Sequence, residues 1–269
     1  MSKPLKLAIL VYHQIVPDDF PLKLLPLDEQ PYFSRLSEFY SHLDYLVNNN
    51  FSTLTIDEIG NPRKEEQSSK KIAITFDDGQ ISDYTIAFPA IIEREMKATF
   101  YIVTDFIGKK GWLNWDQLKE MLRYGMEIGS HSCSHRRLLD LKKEDILIEL
   151  QKSKQVLEDR LGCYIRSFTT PFGLGNQSIM ELALEAGYET ICTSEVKLTQ
   201  INVNKSIYGR IGIRRGDNVE KFKGIVEKEW QTIGKLIIED RIKSLLKQLL
   251  GRRLWYKFST LMISQSKSF

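Results

Sequence analysis

The chain has 269 residues, 42% of them apolar and 27% charged, the composition of a globular protein rather than of a fibrous or disordered one. Its 38 Lys and Arg against 35 Asp and Glu give a net charge of +3, too little for a dedicated nucleic-acid binder, which carries a strongly basic face. The excess lies at the end: residues 241–269 hold seven Lys or Arg and no acid, leaving 31 basic against 35 acidic residues in the 240 before them.

Met1 to Pro17 contains a short apolar run without a small-residue cleavage site. No stretch approaches the roughly 18 apolar residues that span a bilayer, so a cytoplasmic location is expected. Leu7 to Tyr12 reads as the first strand, and Ser34 to Asn48 as a helix, with Leu36, Phe39, Tyr40, Leu43 and Leu46 at helical spacing. His42 falls on the polar side of that helix and is expected in solvent. Asn61 to Lys70 reads as a surface loop, and Lys71 to Phe76 as a strand that ends in Asp77-Asp78-Gly79. Further strands are expected at Ala98 to Val103, Met126 to Ser130, Arg166 to Thr170 and Thr190 to Thr193. Helices are expected at Thr85 to Glu95, Trp115 to Tyr124, Lys142 to Leu161 and Ile179 to Ala186, the long one closed by Gly162. This alternation predicts an α/β fold with mostly parallel strands. The three cysteines, Cys133, Cys163 and Cys192, are widely spaced and suggest neither a disulfide framework nor a zinc knot. Ile233 to Leu250 places Ile238, Ile242, Leu245 and Leu249 on one face of an amphipathic helix, followed by Arg252-Arg253-Leu254-Trp255-Tyr256-Lys257-Phe258. Such a segment either packs on the body of the protein or makes a peripheral contact with an anionic membrane.

Histidine occurs only at 13, 42, 131 and 135. In parallel sheets and barrels, ligands gather at the carboxyl ends of strands, and His13, Asp77, Asp78 and His131 all follow expected strand ends. His131 and His135 pair two imidazoles four residues apart, and Asp78 adds a carboxylate from a neighbouring strand. Two nitrogen donors and one oxygen donor leave an open coordination position, the arrangement of a catalytic divalent metal site. Zinc is favoured by this donor set, while nickel, cobalt and iron also suit imidazole. Successive side chains of an extended strand end point to opposite sides. One Asp of the pair can therefore hold the metal while the other faces the attacking water as a general base, which is hydrolase chemistry. Singly, a histidine pair reads as a satisfied core or surface pair and Asp-Asp-Gly as a turn; their order along the chain favours the site.

Thr75-Phe76-Asp77-Asp78-Gly79, with His131-Ser132-Cys133-Ser134-His135 about fifty residues on, resembles the first two motifs of the NodB-type polysaccharide deacetylases, carbohydrate esterase family four. Lys97-Ala98-Thr99-Phe100-Tyr101 and Met126-Glu127-Ile128-Gly129-Ser130 also match, and the resemblance covers roughly residues 5 to 215. It implies a distorted (β/α) barrel that removes acetyl groups from N-acetylated sugars. In that scheme Asp77 is the base, and Asp78, His131 and His135 are the metal ligands. Pro171-Phe172-Gly173 becomes the loop whose Phe172 N–H completes an oxyanion hole. Trp112 and Phe172 are candidates for stacking on sugar, whereas Trp115 is expected in the core.

Two positions depart from the family pattern. Thr169 stands where the family has an arginine that orients the base, and no histidine follows His135 to supply the general acid. Val11-Tyr12-His13 resembles the opening strand of the poly-N-acetylglucosamine deacetylase branch, whose barrel is circularly permuted. That likeness makes His13 the acid and gives Val11 a place against the acetyl methyl. Arg210, in Tyr208-Gly209-Arg210-Ile211, is then a candidate replacement for the missing partner of Asp77. Residues 1–230 are expected to form the catalytic barrel and 231–269 a basic helical tail. The substrate expected is an N-acetylated amino sugar in a polysaccharide or glycan precursor, with no nucleic acid partner. Rival readings are the same chemistry on a lipid-linked or nucleotide-linked sugar or a non-polymeric amide, and a catalytically silent carbohydrate-binding or complex-forming chain, for which Thr169 is the best support.

Overall fold

The computed structural model describes residues 6–27, 29–60, 70–200, 206–242 and 245–246. Eight parallel strands form its centre: β1 (Ile9–Tyr12), β2 (Lys70–Phe76), β3 (Thr99–Ile102), β4 (Glu127–Ser130), β5 (Ser167–Thr169), β6 (Thr190–Thr193), β7 (Ile207–Gly209) and β8 (Ile211–Gly212). Their order is β7-β6-β5-β4-β3-β2-β1-β8. Phe51–Leu54 pairs alongside the first half of β2. The sheet is thus a nearly closed parallel barrel whose two free edges, β7 and β8, are consecutive in the chain and separated by Arg210 alone. Closure at the other edge joins the first strand to the last, with Leu10 opposite Ile211.

Helices α1 (Leu36–Asn48), α2 (Phe88–Ile92), α3 (Trp115–Arg123), α4 (Lys143–Leu161), α5 (Gln177–Glu185) and α6 (Val219–Val226) accompany the strands. The strand side chains alternate as period two requires. Phe76, Phe100, Ile128 and Phe168 join the large core shared with the helices, each buried phenyl or branched chain contributing roughly 1.5–3 kcal/mol. Ile9, Ala73, Tyr101, Cys192 and Tyr208 form a second, smaller cluster. Gly129 makes room for it: a Cβ there would lie 2.5 Å from the Tyr101 ring and 2.7 Å from Ser167 Oγ.

Several expectations need correction. His42 is buried, not solvated: its Nε2–H donates to the Asp217 carbonyl at 2.7 Å, the Tyr12 hydroxyl meets Nδ1 at 3.0 Å, and its ring stacks on Phe222 at 4.2 Å. The reason is α6, which covers the side of α1 that a lone amphipathic helix would leave in water. The helix expected over Thr85 to Glu95 opens as a π-turn, Asp83–Ala87, before α2 begins with Pro89 in its first turn. The first expected strand breaks after Leu7, and Lys6–Leu7 pairs antiparallel with Thr199–Gln200. Residues 61–69 of the expected loop lie outside the described residues. So do 243–244 and everything from 247 on, including the basic aromatic run. A helix does cover residues 230–242; Ile233, Leu236 and Ile237 pack on the core, whereas Ile238, Ile242 and Leu245 are exposed. No helix among the described residues is long and apolar enough to cross a membrane.

Candidate active site

Because every barrel strand runs the same way, the residues after their carboxyl ends gather on one face. His13 follows β1, Asp77 and Asp78 follow β2, His131 follows β4, Pro171 and Phe172 follow β5, and Arg210 follows β7. All of these except Arg210 and Pro171 line one groove, together with Val11, Trp112 and residues of the terminal helix. Its volume of about 2090 Å³ exceeds the roughly 300–1,000 Å³ of pockets for compact ligands, so it suits an extended one.

Asp78, His131 and His135 offer one donor atom each, all within 4.8 Å of one another. His131 and His135 present Nε2 to Asp78 Oδ1 at 3.4 and 3.3 Å. His131 Nδ1 lies 2.9 Å from the Thr169 carbonyl. A carbonyl only accepts, so Nδ1 carries the proton and Nε2 turns a lone pair toward the cluster, the tautomer a metal ligand needs. Burial depresses the His135 pKa, with a further push from His131, to about 4, which leaves it a neutral donor. Asp78 is also shifted: burial would raise it, but His131, His13 and His135 together bring it down. One carboxylate and two imidazoles, that of His131 fixed in its tautomer by Thr169, fit a divalent cation with an open position.

Asp77 sits beside this cluster and is held by Arg210 through two bonds, Nη1 to Oδ1 at 2.6 Å and Nη2 to Oδ2 at 2.7 Å. Arg210 is wholly buried. It also donates to Thr75 Oγ1 at 3.1 Å and to Thr169 Oγ1 at 2.7 Å, and its guanidinium lies 5.4 Å from the Tyr101 ring centroid. Burial pushes the Asp77 carboxyl up, but Arg210 and His131 outweigh it and the carboxyl is held below the ordinary range. At the position where the resemblance calls for an arginine, Thr169 thus presents a hydroxyl to a guanidinium arriving from the barrel edge.

His13 is half-buried, its ring 4.9 Å from Tyr32. Its Nδ1 has no hydrogen-bond partner among the described residues. Phe172 adopts φ +60° within the single turn Pro171–Gly173. As the second residue of that turn, its N–H has no intrahelical acceptor, and its ring lies 4.7 Å from His135. Asp78, Ser132, His135 and Phe172 all have positive φ without being glycine, and such strain, of order 1–3 kcal/mol per residue, collects at functional sites. Trp112, at the groove wall, packs against Phe106 with ring centroids 4.3 Å apart and planes tilted by 48°, and Trp115 packs against the core.

One residue escaped the sequence reading. Glu149, buried on α4, accepts from the backbone N–H groups of Cys133 and Ser134 at 2.9 Å each and from the Ser134 hydroxyl. It fixes the loop that carries both histidines. The signal was an acid within the apolar stripe Ile146, Leu150, Leu157.

A family model described as polysaccharide deacetylase matches residues 64–191. YxkH of Bacillus subtilis, provisionally named a polysaccharide deacetylase, is 28% identical over 231 residues, 84% of this chain and 78% of that protein. The poly-β-1,6-N-acetyl-D-glucosamine N-deacetylase of Staphylococcus aureus is 25% identical over 190 residues, 65% of this chain and 66% of its own. Among solved structures, the Streptococcus pyogenes deacetylase PplD in complex with acetate has a TM-score of 0.73 at 23% identity, covering 86% of this chain and 99% of that one. That likeness is one of fold.

Proposed function

This chain carries a polysaccharide deacetylase domain, and from that premise we propose that it hydrolyses the N-acetyl group of amino sugars in a polysaccharide or glycan precursor. The observation that carries the reading is the Asp77–Arg210 pair set against the Asp78, His131, His135 cluster at the barrel mouth. A divalent cation held by those three residues, zinc by their donor set, would polarise the acetyl carbonyl and acidify the attacking water, which a carboxylate as weakly basic as Asp77 needs.

Arg210 keeps Asp77 ionised and aimed. Asp77 accepts a proton from the attacking water, and the Phe172 N–H donates to the oxygen on which negative charge builds, a contact type worth about 3–4 kcal/mol. Pro171 fixes the turn that presents that N–H. His13 delivers a proton to the departing nitrogen, giving acetate and a free amino sugar. Val11, which lines the groove, offers an apolar surface to the acetyl methyl. Residues 1–230 supply the catalytic groups in this proposal, and the tail 231–269, whose partner is a membrane surface, adds Glu239, Asp240, Ile242 and Leu246 to the groove wall. A silent carbohydrate-binding chain was suggested by Thr169; Arg210, bonded to both Thr169 and Asp77, favours activity instead.

The test is acetate release from N-acetylglucosamine oligomers by the zinc-loaded protein, beside Asp77→Asn and His13→Ala. We expect each variant to lose at least about 100-fold in kcat. Full activity in Asp77→Asn would overturn the mechanism, and zinc binding without turnover on acetylated sugars would favour the silent chain.

A further inference from the structure

The terminal helix has two apolar sides. Ile233, Leu236 and Ile237 face the core. On the opposite side Ile238, Ile242 and Leu245 are 59%, 51% and 57% exposed. At 100° per residue these three fall within an arc of about 60°. An isolated exposed leucine or isoleucine is ordinary, but an aligned row more than half exposed is not. Exposed Lys235 and Arg241 flank the row, and Trp230, 83% exposed, heads the helix on the same half. Tryptophan and basic residues beside an apolar stripe are the composition of a segment lying at a lipid interface.

We propose that this face seats the protein on an anionic membrane and that the groove opens at that surface, so that the amino sugar it receives is tethered to lipid. The substrate clause rests on the deacetylase reading; the membrane clause does not. Charge selects the occupant: from Arg241 onward the sequence has seven Lys or Arg and no acid, with Trp255, Tyr256 and Phe258 among them. A second copy of this chain would bring a second stretch of the same composition, seven more positive charges and no acid, whereas an anionic lipid surface neutralises such charge.

The helix also ties that face to the site. Glu239, Asp240, Ile242 and Leu246 line the groove that holds Asp77, Asp78 and both metal-binding histidines, and Ile242 belongs to stripe and groove wall alike. The two acids, which an anionic surface would repel, lie 100° and 200° around the helix from Ile238 by the same geometry. A glycan held at the headgroups would therefore meet the groove beside the wall that Ile242 forms.

The binding test uses the full chain with sucrose-loaded vesicles of phosphatidylcholine alone or mixed with phosphatidylglycerol, beside the double variant Ile238→Glu, Leu245→Glu. Sedimentation with the anionic vesicles only, weakened at least tenfold in the variant at unchanged Tm and unchanged acetate release from soluble oligomers, is expected. Equal binding by both proteins, or none by either, overturns the proposal. So does a wild-type dimer in sedimentation velocity that the variant abolishes, which would assign the face to a second copy. The substrate arm compares a polyisoprenyl-linked N-acetylglucosamine glycan in anionic vesicles with the same glycan free. A tenfold or greater advantage in kcat/KM for the lipid-linked form supports the substrate class, and equal rates overturn it. Membrane binding with no release from either form overturns the deacetylase reading and leaves the docking surface standing.

Discussion

A guanidinium with no exposed surface, gripping one carboxylate by two bonds, leaves that carboxylate buried and unpaired when it is removed. Arg210→Met should destabilise the fold by about 3–5 kcal/mol and lower kcat by at least about 100-fold. Arg210→Lys keeps the charge but not the planar fork, so it should recover most of the stability and little of the kcat. Urea midpoints and steady-state kinetics check both, and a Lys variant as active as wild type would show that charge suffices. Asp83 poses the opposite problem. It is fully buried, neither carboxyl oxygen has a well-formed hydrogen bond among the described residues, and burial first, then the charges of Asp78 and Asp77, push its pKa well up against a smaller pull from the Gln80 backbone. The folded chain thus keeps a proton that the unfolded chain releases near pH 4. Stability is fully present below that pH and declines as pH rises toward the folded value, by up to about 1.4 kcal/mol per unit. Asp83→Asn removes the penalty, so its stability relative to wild type should increase between pH 5 and pH 8, as urea midpoints at the two values will register.

Helix α4 reaches the site without touching it. Glu149 ties the loop from His131 to His135 down through three bonds, and a group that orients metal ligands typically governs affinity by 10–100-fold. Glu149→Gln should weaken zinc binding by about that factor in a competition titration, with secondary structure retained; unchanged affinity would reduce Glu149 to a loop anchor. Much of this level was legible in the sequence. The acids after β2 and the histidines after β4 could be placed at strand ends because apolar runs stopped there. Glu149 could not, since a single acid in an apolar stripe has no meaning until the loop above it is known. His42 was misread for a related reason: helical periodicity describes one helix, and α6, from a distant part of the chain, covers the side that α1 shows to water in isolation. Short strands such as Ile207–Gly209 and Ile211–Gly212 carry too few residues for a periodic signal, which is why the bond between Arg210 and Asp77 was at most suggested by family likeness.

At the scale of the molecule, a mostly parallel α/β fold and its functional end were readable from alternation and strand ends, and the barrel was implied by family likeness. Its closure was not readable, because closure depends on Leu10 meeting Ile211, two hundred residues away in the chain. The seam has a consequence in time. Domains form as the ribosome delivers them, amino end first, and Asp77, Asp78, His131 and His135 all emerge well before Arg210. Until then the nascent sheet has two open edges, Asp77 lacks the counter-ion that Arg210 provides, and β1 lacks one neighbour. The last two barrel strands therefore act as a clasp, so competence should arrive as a late step of synthesis rather than accumulate with length. Chains halted just before and just after residues 207–212 should differ sharply in resistance to limited proteolysis around β1, and a gradual gain would mean that the barrel holds its shape before the clasp is made.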